Sequence, residues 1–267
     1  MLKDITIGQY FPGDTPIHRM DPRTKILNVV FFIVALFTCG GIVGYALVLA
    51  YLIASVRISK IKMKTILKGV KPLIIIIIFT ALLNMFYTPG NVLVQFWRLH
   101  ITDAGLKNAV LMVARIIMLI TGTFLLTYTT SHITLTDGLE RLLSPLKKIH
   151  APVHELAMMM SIALRFITTL IEETDKIMSA QKSRGADFET GNLIQKAKAL
   201  IPILVPLFVS AFRRADELAT AMECRCYTGG EGRTRLNPLH WQRLDTIGLI
   251  CGIVLLAAVI VLRQFGL

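Results

Sequence analysis

Two arginines, each closing a helical pattern, are the residues best equipped to engage a partner. The phrase Asp175-Lys-Ile-Met-Ser-Ala-Gln-Lys-Ser-Arg184-Gly185 lies over Asp216-Glu-Leu-Ala-Thr-Ala-Met-Glu-Cys-Arg225-Cys226 without a gap. The Asp, one Ala and the Arg coincide; Ile matches Leu and Ser matches Thr. Small residues flank both arginines, Ser183 and Gly185 in one copy, Cys224 and Cys226 in the other. A guanidinium so placed offers a rigid fork of donors that can pair bidentately with a carboxylate or cap exposed carbonyls. For a single arginine, a solvated cation complementing the helix C-terminal dipole is the competing reading. The repetition favours docking: two similar arginine ends suit a partner with two similar sockets.

Composition sets where such ends must be held. The chain has 267 residues, 54% of them hydrophobic, against roughly 45–50% in soluble domains. The apolar residues gather into uncharged runs near spanning length while the charges collect between them, which marks a polytopic membrane protein. The net charge of +12 falls mostly in segments the topology places in the cytoplasm, as the positive-inside rule expects, so no nucleic-acid partner is implied. Four cysteines, Cys39, Cys224, Cys226 and Cys251, form no disulfide framework, and Cys224-x-Cys226 has no second ligand pair for zinc. No short apolar core followed by a cleavage site opens the chain.

Taken in order, Asp21-Pro22 is a helix start, a side-chain cap followed by proline in the first turn. The first span is expected from Lys25 to Phe37, breaking at Gly40-Gly41, and the second from Ile42 to Val56. Arg57, Lys60, Lys62, Lys64, Lys68 and Lys71 follow without an acidic residue, a cytoplasmic loop with a possible in-plane basic helix. Pro72–Tyr87 is the third span. Residues 91–104 are read as an outside loop, with Trp97 and His100 near the interface, and the fourth span runs from about Leu106 to Tyr128. Arg115 inside it costs roughly 2.5–3.5 kcal/mol on insertion scales. It is either a tie to a neighbouring helix or subunit, or else a snorkelling side chain or the mark of a span boundary that lies elsewhere.

Residues 131–149 read as an amphipathic surface helix interrupted near Ser144-Pro145. A long helix is expected from Val153 to Arg184, stopping at Gly185, and a second from about Asn192 to Tyr227, with Pro202 and Pro206 bending it. Gly229-Gly-Glu-Gly-Arg233 is a loop, Trp241 an interfacial anchor, and Thr246–Leu262 the last span. The fold class is all-α polytopic, with about five transmembrane helices and a cytoplasmic insert of long crossed helices. The expected domains are 1–130, with four spans; 131–243, the insert; and 244–267, the last span. The N-terminus lies inside and the C-terminus outside.

Catalytic chemistry is missing from the sequence. Gly229-Gly-Glu-Gly-Arg lacks the spacing and the Lys-Ser/Thr of a phosphate loop. His154-Glu155-Leu-Ala-Met158 has methionine where a zinc protease needs its second histidine. His150 and His154 are assigned to the surface of a helix end, with no catalytic and no metal-binding residue. A self-sufficient secondary transporter would want repeated spans and polar residues at mid-membrane, for which only Arg115 and Asn84 offer themselves. A membrane scaffold without transport is the other alternative.

The chain resembles the transmembrane T component of energy-coupling factor transporters, ABC-type vitamin and metal importers of prokaryotes. The resemblance rests on Asp21-Pro-Arg-Thr-Lys25, Ser183-Arg-Gly-Ala-Asp187, Ala211-Phe-Arg-Arg-Ala-Asp-Glu-Leu218 and Met222-Glu-Cys-Arg-Cys-Tyr227. That family carries two Ala-Arg-Gly signatures at the ends of coupling helices, each docking into one of two ATPase subunits. Carried over, they are Ser183-Arg184-Gly185 and Cys224-Arg225-Cys226, where Cys226 stands for a glycine and removes backbone freedom. The resemblance implies a non-catalytic scaffold of the prokaryotic cell membrane. It would join two ATP-binding-cassette ATPases, the subunits that bind ATP and Mg, to a membrane-embedded substrate-binding S component. The faces around Pro202, Leu204, Pro206 and Phe208 are expected to hold that S component.

Overall fold

The computed structural model describes residues 10–89, 92–96, 99–149, 152–188, 192–229 and 239–265. Trp97, His150 and the glycine loop from Gly230 to Arg233 lie outside the described residues. Asp21 starts α2 (Pro22–Thr38) as predicted: its carboxylate accepts from the Arg23 amide at 2.9 Å, with Pro22 in the first turn. It is preceded by a single turn, α1 (Pro16–Arg19). Gly41 caps α3 (Ile42–Ser59), so the glycine pair breaks the chain where expected. The basic stretch folds as a short helix, α4 (Met63–Val70), and a 3-10 turn, Lys71–Leu73, leads into α5 (Ile74–Tyr87).

The predicted outside loop contains a small antiparallel hairpin, β1 (Val92–Phe96) and β2 (Leu99–Thr102). Phe96 pairs with Leu99 next to the turn and Val92 with Thr102 at the open end. The local run Val-Leu-Val-Gln-Phe has the β-branched and aromatic bias of a strand. Thr102 then caps α6 (Asp103–Thr129), accepting from the Gly105 amide at 3.0 Å and donating to the Thr88 carbonyl at 2.8 Å. The helices α7 (His132–Leu143), α8 (Val153–Ser183), α9 (Leu193–Glu223) and α10 (Arg243–Gln264) complete the chain. A 3-10 turn, Ser144–Ile149, stands at the predicted Ser144-Pro145 interruption. Apart from the hairpin, the described residues form an all-α fold.

Among the described residues, six helical stretches are long and apolar enough to cross a membrane: α3, Met63–Tyr87, α6, α8, Ile194–Glu223 of α9, and α10. Four of these coincide with predicted spans. The predicted first span is α2, a helix of 17 residues. The two additional stretches, in α8 and α9, are the least apolar of the six.

The described residues divide into two compact units, 10–139 with 239–265, and 140–229. In the first, Phe32, Ala35 and Leu36 of α2 pack with Tyr45, Val48 and Leu52 of α3, Met118 of α6, and Leu255 and Val259 of α10. Close approach is bought by two glycines one turn apart, Gly248 and Gly252. Asn28 Oδ1 occupies the space a Cβ on Gly252 would need, and the Met20 methyl fills that of Gly248. The buried Asp245 carboxylate accepts from the Asp21 amide at 2.6 Å and the Gln242 amide at 2.7 Å. It thereby fastens the start of the last helix to the start of α2.

Arg115, the charge inside α6, lies among aromatic rings. Its guanidinium carbon stands 5.8 Å from the Phe37 centroid and 5.5 Å from that of Tyr45. The side chain therefore ties α6 to its neighbours within the chain, the first of the two readings, through ring faces.

Candidate functional site

The two arginine ends adopt the same backbone motif. After α8, the Gly185 amide donates to the Lys182 carbonyl at 3.0 Å and the Ala186 amide to the Gln181 carbonyl at 3.0 Å. After α9, the Cys226 amide donates to Glu223 at 2.9 Å and the Tyr227 amide to Met222 at 3.1 Å. These are the paired bonds of a Schellman closure, five-to-two and six-to-one, which satisfy carbonyls that a helix end leaves open. In both copies the arginine is the residue just before the left-handed one. Gly185 has φ +87° and Cys226 has φ +55°.

The departure at Cys226 therefore leaves the turn's geometry intact. A left-handed conformation is available to an L-residue at a cost of about 1–2 kcal/mol, and two closing hydrogen bonds hold it there. The copies agree further back as well. The Ser179 hydroxyl donates to the Asp175 carbonyl at 2.7 Å, and the Thr220 hydroxyl donates to the Asp216 carbonyl at 2.9 Å. The sequence repeat is thus a repeat of local structure. Ser183, Arg184, Gly185, Cys224, Arg225 and Cys226 are all exposed, so the guanidiniums stand clear of their own unit.

Between these tips and the preceding residues, α8 and α9 meet at a polar clamp that sequence reasoning missed. Arg214 Nη2 donates to Glu173 Oε2 at 3.1 Å, and the Ser210 hydroxyl donates to the other oxygen, Oε1. The Arg214 guanidinium also covers the Phe166 ring, 5.8 Å from its centroid. One carboxylate is satisfied on both oxygens by a single face of α9, and one guanidinium by a carboxylate and a ring of α8. The available signal was Arg213-Arg214 interrupting an apolar stripe, which calls for a partner, though not for a particular one. At the start of α8, His154 Nδ1 lies 3.1 Å from Glu140 Oε1, and both side chains are largely buried rather than on the open surface expected for that histidine.

Upstream on α9, Pro202, Leu204, Pro206 and Phe208 are exposed, while Ile203 between them is buried. The helix runs unbroken through both prolines. Leu200, Ile201, Leu204, Val205, Phe208, Val209 and Phe212 form an uninterrupted apolar surface, with Phe208 60% and Phe212 69% exposed. A contiguous patch of this kind marks an interaction or membrane-contact surface. The patch and the Arg225 turn belong to the same helix, α9, the turn at its C-terminal end; Arg184 closes α8.

Comparison with known proteins bears on the whole chain. The family model for CbiQ, described as a cobalt transport protein, matches residues 13–236. The energy-coupling factor transporter transmembrane protein EcfT of Clostridium kluyveri is 55% identical over 265 residues, covering 98% of each chain. The protein of that name from Heliobacterium modesticaldum is 55% identical over 245 residues, 92% of each chain. The one from Lactococcus lactis subsp. cremoris is 47% identical over 262 residues, 98% of each chain.

Proposed function

This chain belongs to the CbiQ family and is similar over nearly its whole length to EcfT transmembrane proteins of energy-coupling factor transporters, and from that premise we propose that it couples two ATPase subunits to a membrane-embedded substrate binder. The observation that carries the reading is the matched pair of exposed arginines on identical Schellman turns. Two equal plugs call for two equal sockets, and the nucleotide-binding pair of an ABC-type importer supplies them.

The mechanism follows from the positions of the residues. Arg184 and Arg225 dock into one ATPase each, their forks paired with a carboxylate or with helix-end carbonyls. ATP binding by those subunits moves the sockets, and the tips follow. Helices of 31 residues, about 46 Å long, transmit that movement because their backbone ladders resist compression. The exposed apolar face around Pro202–Phe208 then carries it to the S component, which rests on that face. In this arrangement α8 and α9 lie at the cytoplasmic side, the N-terminus faces the cytoplasm and the C-terminus faces outside. The cargo, a vitamin or other micronutrient, is selected by the S component. Their low hydropathy among the candidate spans supports placing α8 and α9 outside the bilayer core.

The test is to purify the chain from native membranes under mild detergent and identify what travels with it. Two ATP-binding-cassette subunits and a small membrane protein are the expected companions. A chain that travels alone and drives uptake by itself would be a secondary transporter and would refute the proposal.

A further inference from the structure

The polar clamp between α8 and α9 occupies a particular position relative to the two arginines. Glu173 lies eleven residues before Arg184, and Arg214 lies eleven residues before Arg225. At 1.5 Å of rise per residue, each helix extends about 16 Å from the clamp to its tip. The clamp is built as a fixed point. Glu173 is bonded on both carboxylate oxygens, by Ser210 and by Arg214, and Arg214 is held a second time by the Phe166 ring. Both charged side chains are only partly exposed, 26% for Glu173 and 31% for Arg214, which restricts the water that would otherwise loosen the pair.

We propose that Glu173 and Arg214 are positioning residues, forming the fulcrum that sets the separation and orientation of the two arginine tips. This rests on the docking role given above for Arg184 and Arg225. With equal arms, any rotation of one helix against the other about the clamp displaces both tips equally. A 10° change shifts a tip by about 3 Å, the length of a hydrogen bond. Two similar sockets moving together need this equality, because unequal arms would seat one arginine while unseating the other. Direction as well as distance is fixed because Ser210 and Arg214 hold different oxygens of one carboxylate while the Phe166 ring holds the guanidinium.

The repeat supplies matched labelling sites. Ala180 and Ala221 occupy equivalent positions in the two copies and both are exposed. Spin labels on Ala180→Cys and Ala221→Cys, in a chain carrying Cys224→Ala, Cys226→Gly and Cys251→Ala, report the tip-to-tip distance by pulsed electron resonance. The chain is measured in its assembled complex in lipid nanodiscs. The expected result is a narrow distribution that broadens or shifts by about 3 Å or more in Glu173→Ala and in Arg214→Ala. The exchange Glu173→Arg with Arg214→Glu restores the narrow distribution, because the pair and the donor to Ser210 are re-formed in reverse. A distribution unchanged by either single substitution overturns the fulcrum, and so does a double exchange that fails to narrow it while the complex stays assembled. The docking reading fails separately, if Arg184→Glu and Arg225→Glu leave ATPase retention unchanged.

Discussion

Replacing Cys226 with glycine tests whether the second arginine turn stores backbone strain that the first avoids. Cys226 sits at φ +55° and Gly185 at φ +87°, in turns closed by the same two hydrogen bonds. An L-residue in the left-handed region carries about 1–2 kcal/mol. Glycine removes that cost and returns about 0.4–1 kcal/mol through the greater freedom of the open chain. The net is a gain of roughly 0.5–1 kcal/mol for the closed turn, about a 2- to 5-fold smaller opening equilibrium. The effect is local, so it is read at the amides that close the motif. Hydrogen exchange at residues 226 and 227 should slow by about that factor in Cys226→Gly, with global unfolding little changed. Gly185→Ala should do the reverse at residues 185 and 186, where open space around the glycine leaves φ as the only obstacle. Equal or faster exchange in Cys226→Gly would refute the strain argument.

Substitutions at three further positions probe the unit that holds the first and last spans together. Gly252→Leu should lose about 1–3 kcal/mol by overpacking, because Asn28 already fills the space beside Gly252. Thermal denaturation in detergent measures this, and an unchanged midpoint would contradict the packing described. Asp245→Ala strands the amides of Asp21 and Gln242, at about 1–3 kcal/mol each. Asp245→Asn, which keeps an acceptor oxygen, should lose less in the same measurement. Arg115→Leu removes a charge costing roughly 2.5–3.5 kcal/mol in the membrane against contacts with two rings worth about 0.5–2 kcal/mol each. The variant should be at least as heat-stable as the parent; a large loss would mean that Arg115 serves a stronger partner than Phe37 and Tyr45.

Most helices were legible because their signals are local. The Asp21-Pro22 start, the Gly40-Gly41 break, the Ser144-Pro145 interruption and the Gly185 stop each act over a few residues. The hairpin at Val92–Thr102 was missed although its first strand is rich in β-branched and aromatic residues, since a short polar-flanked run between spans also fits a loop. The Gly248–Gly252 spacing was readable as a close-packing notch, but its partner Asn28 was not. The same holds for Asp21 with Asp245, 224 residues apart, and for Glu173 with Arg214, 41 apart. Tertiary pairs of this kind follow from the fold, and one sequence carries no trace of which charge meets which. The left-handed Cys226 illustrates the converse. Residue type argued against the turn, while the two closing hydrogen bonds, repeated from the first copy, secure it.

In the proposed coupling, Arg184 and Arg225 each seat in one ATPase. This docking is tested most directly by quantifying the ATPase subunits retained by affinity-purified complexes of Arg184→Glu, Arg225→Glu and the double variant. Both turns are exposed and their closing bonds are backbone bonds, so these reversals should leave the chain folded. If the arginines dock in this way, retention weakens in each single variant, and both ATPases, with ATP-driven uptake, are lost in the double. Intact complexes and undiminished uptake with both arginines reversed would contradict the docking.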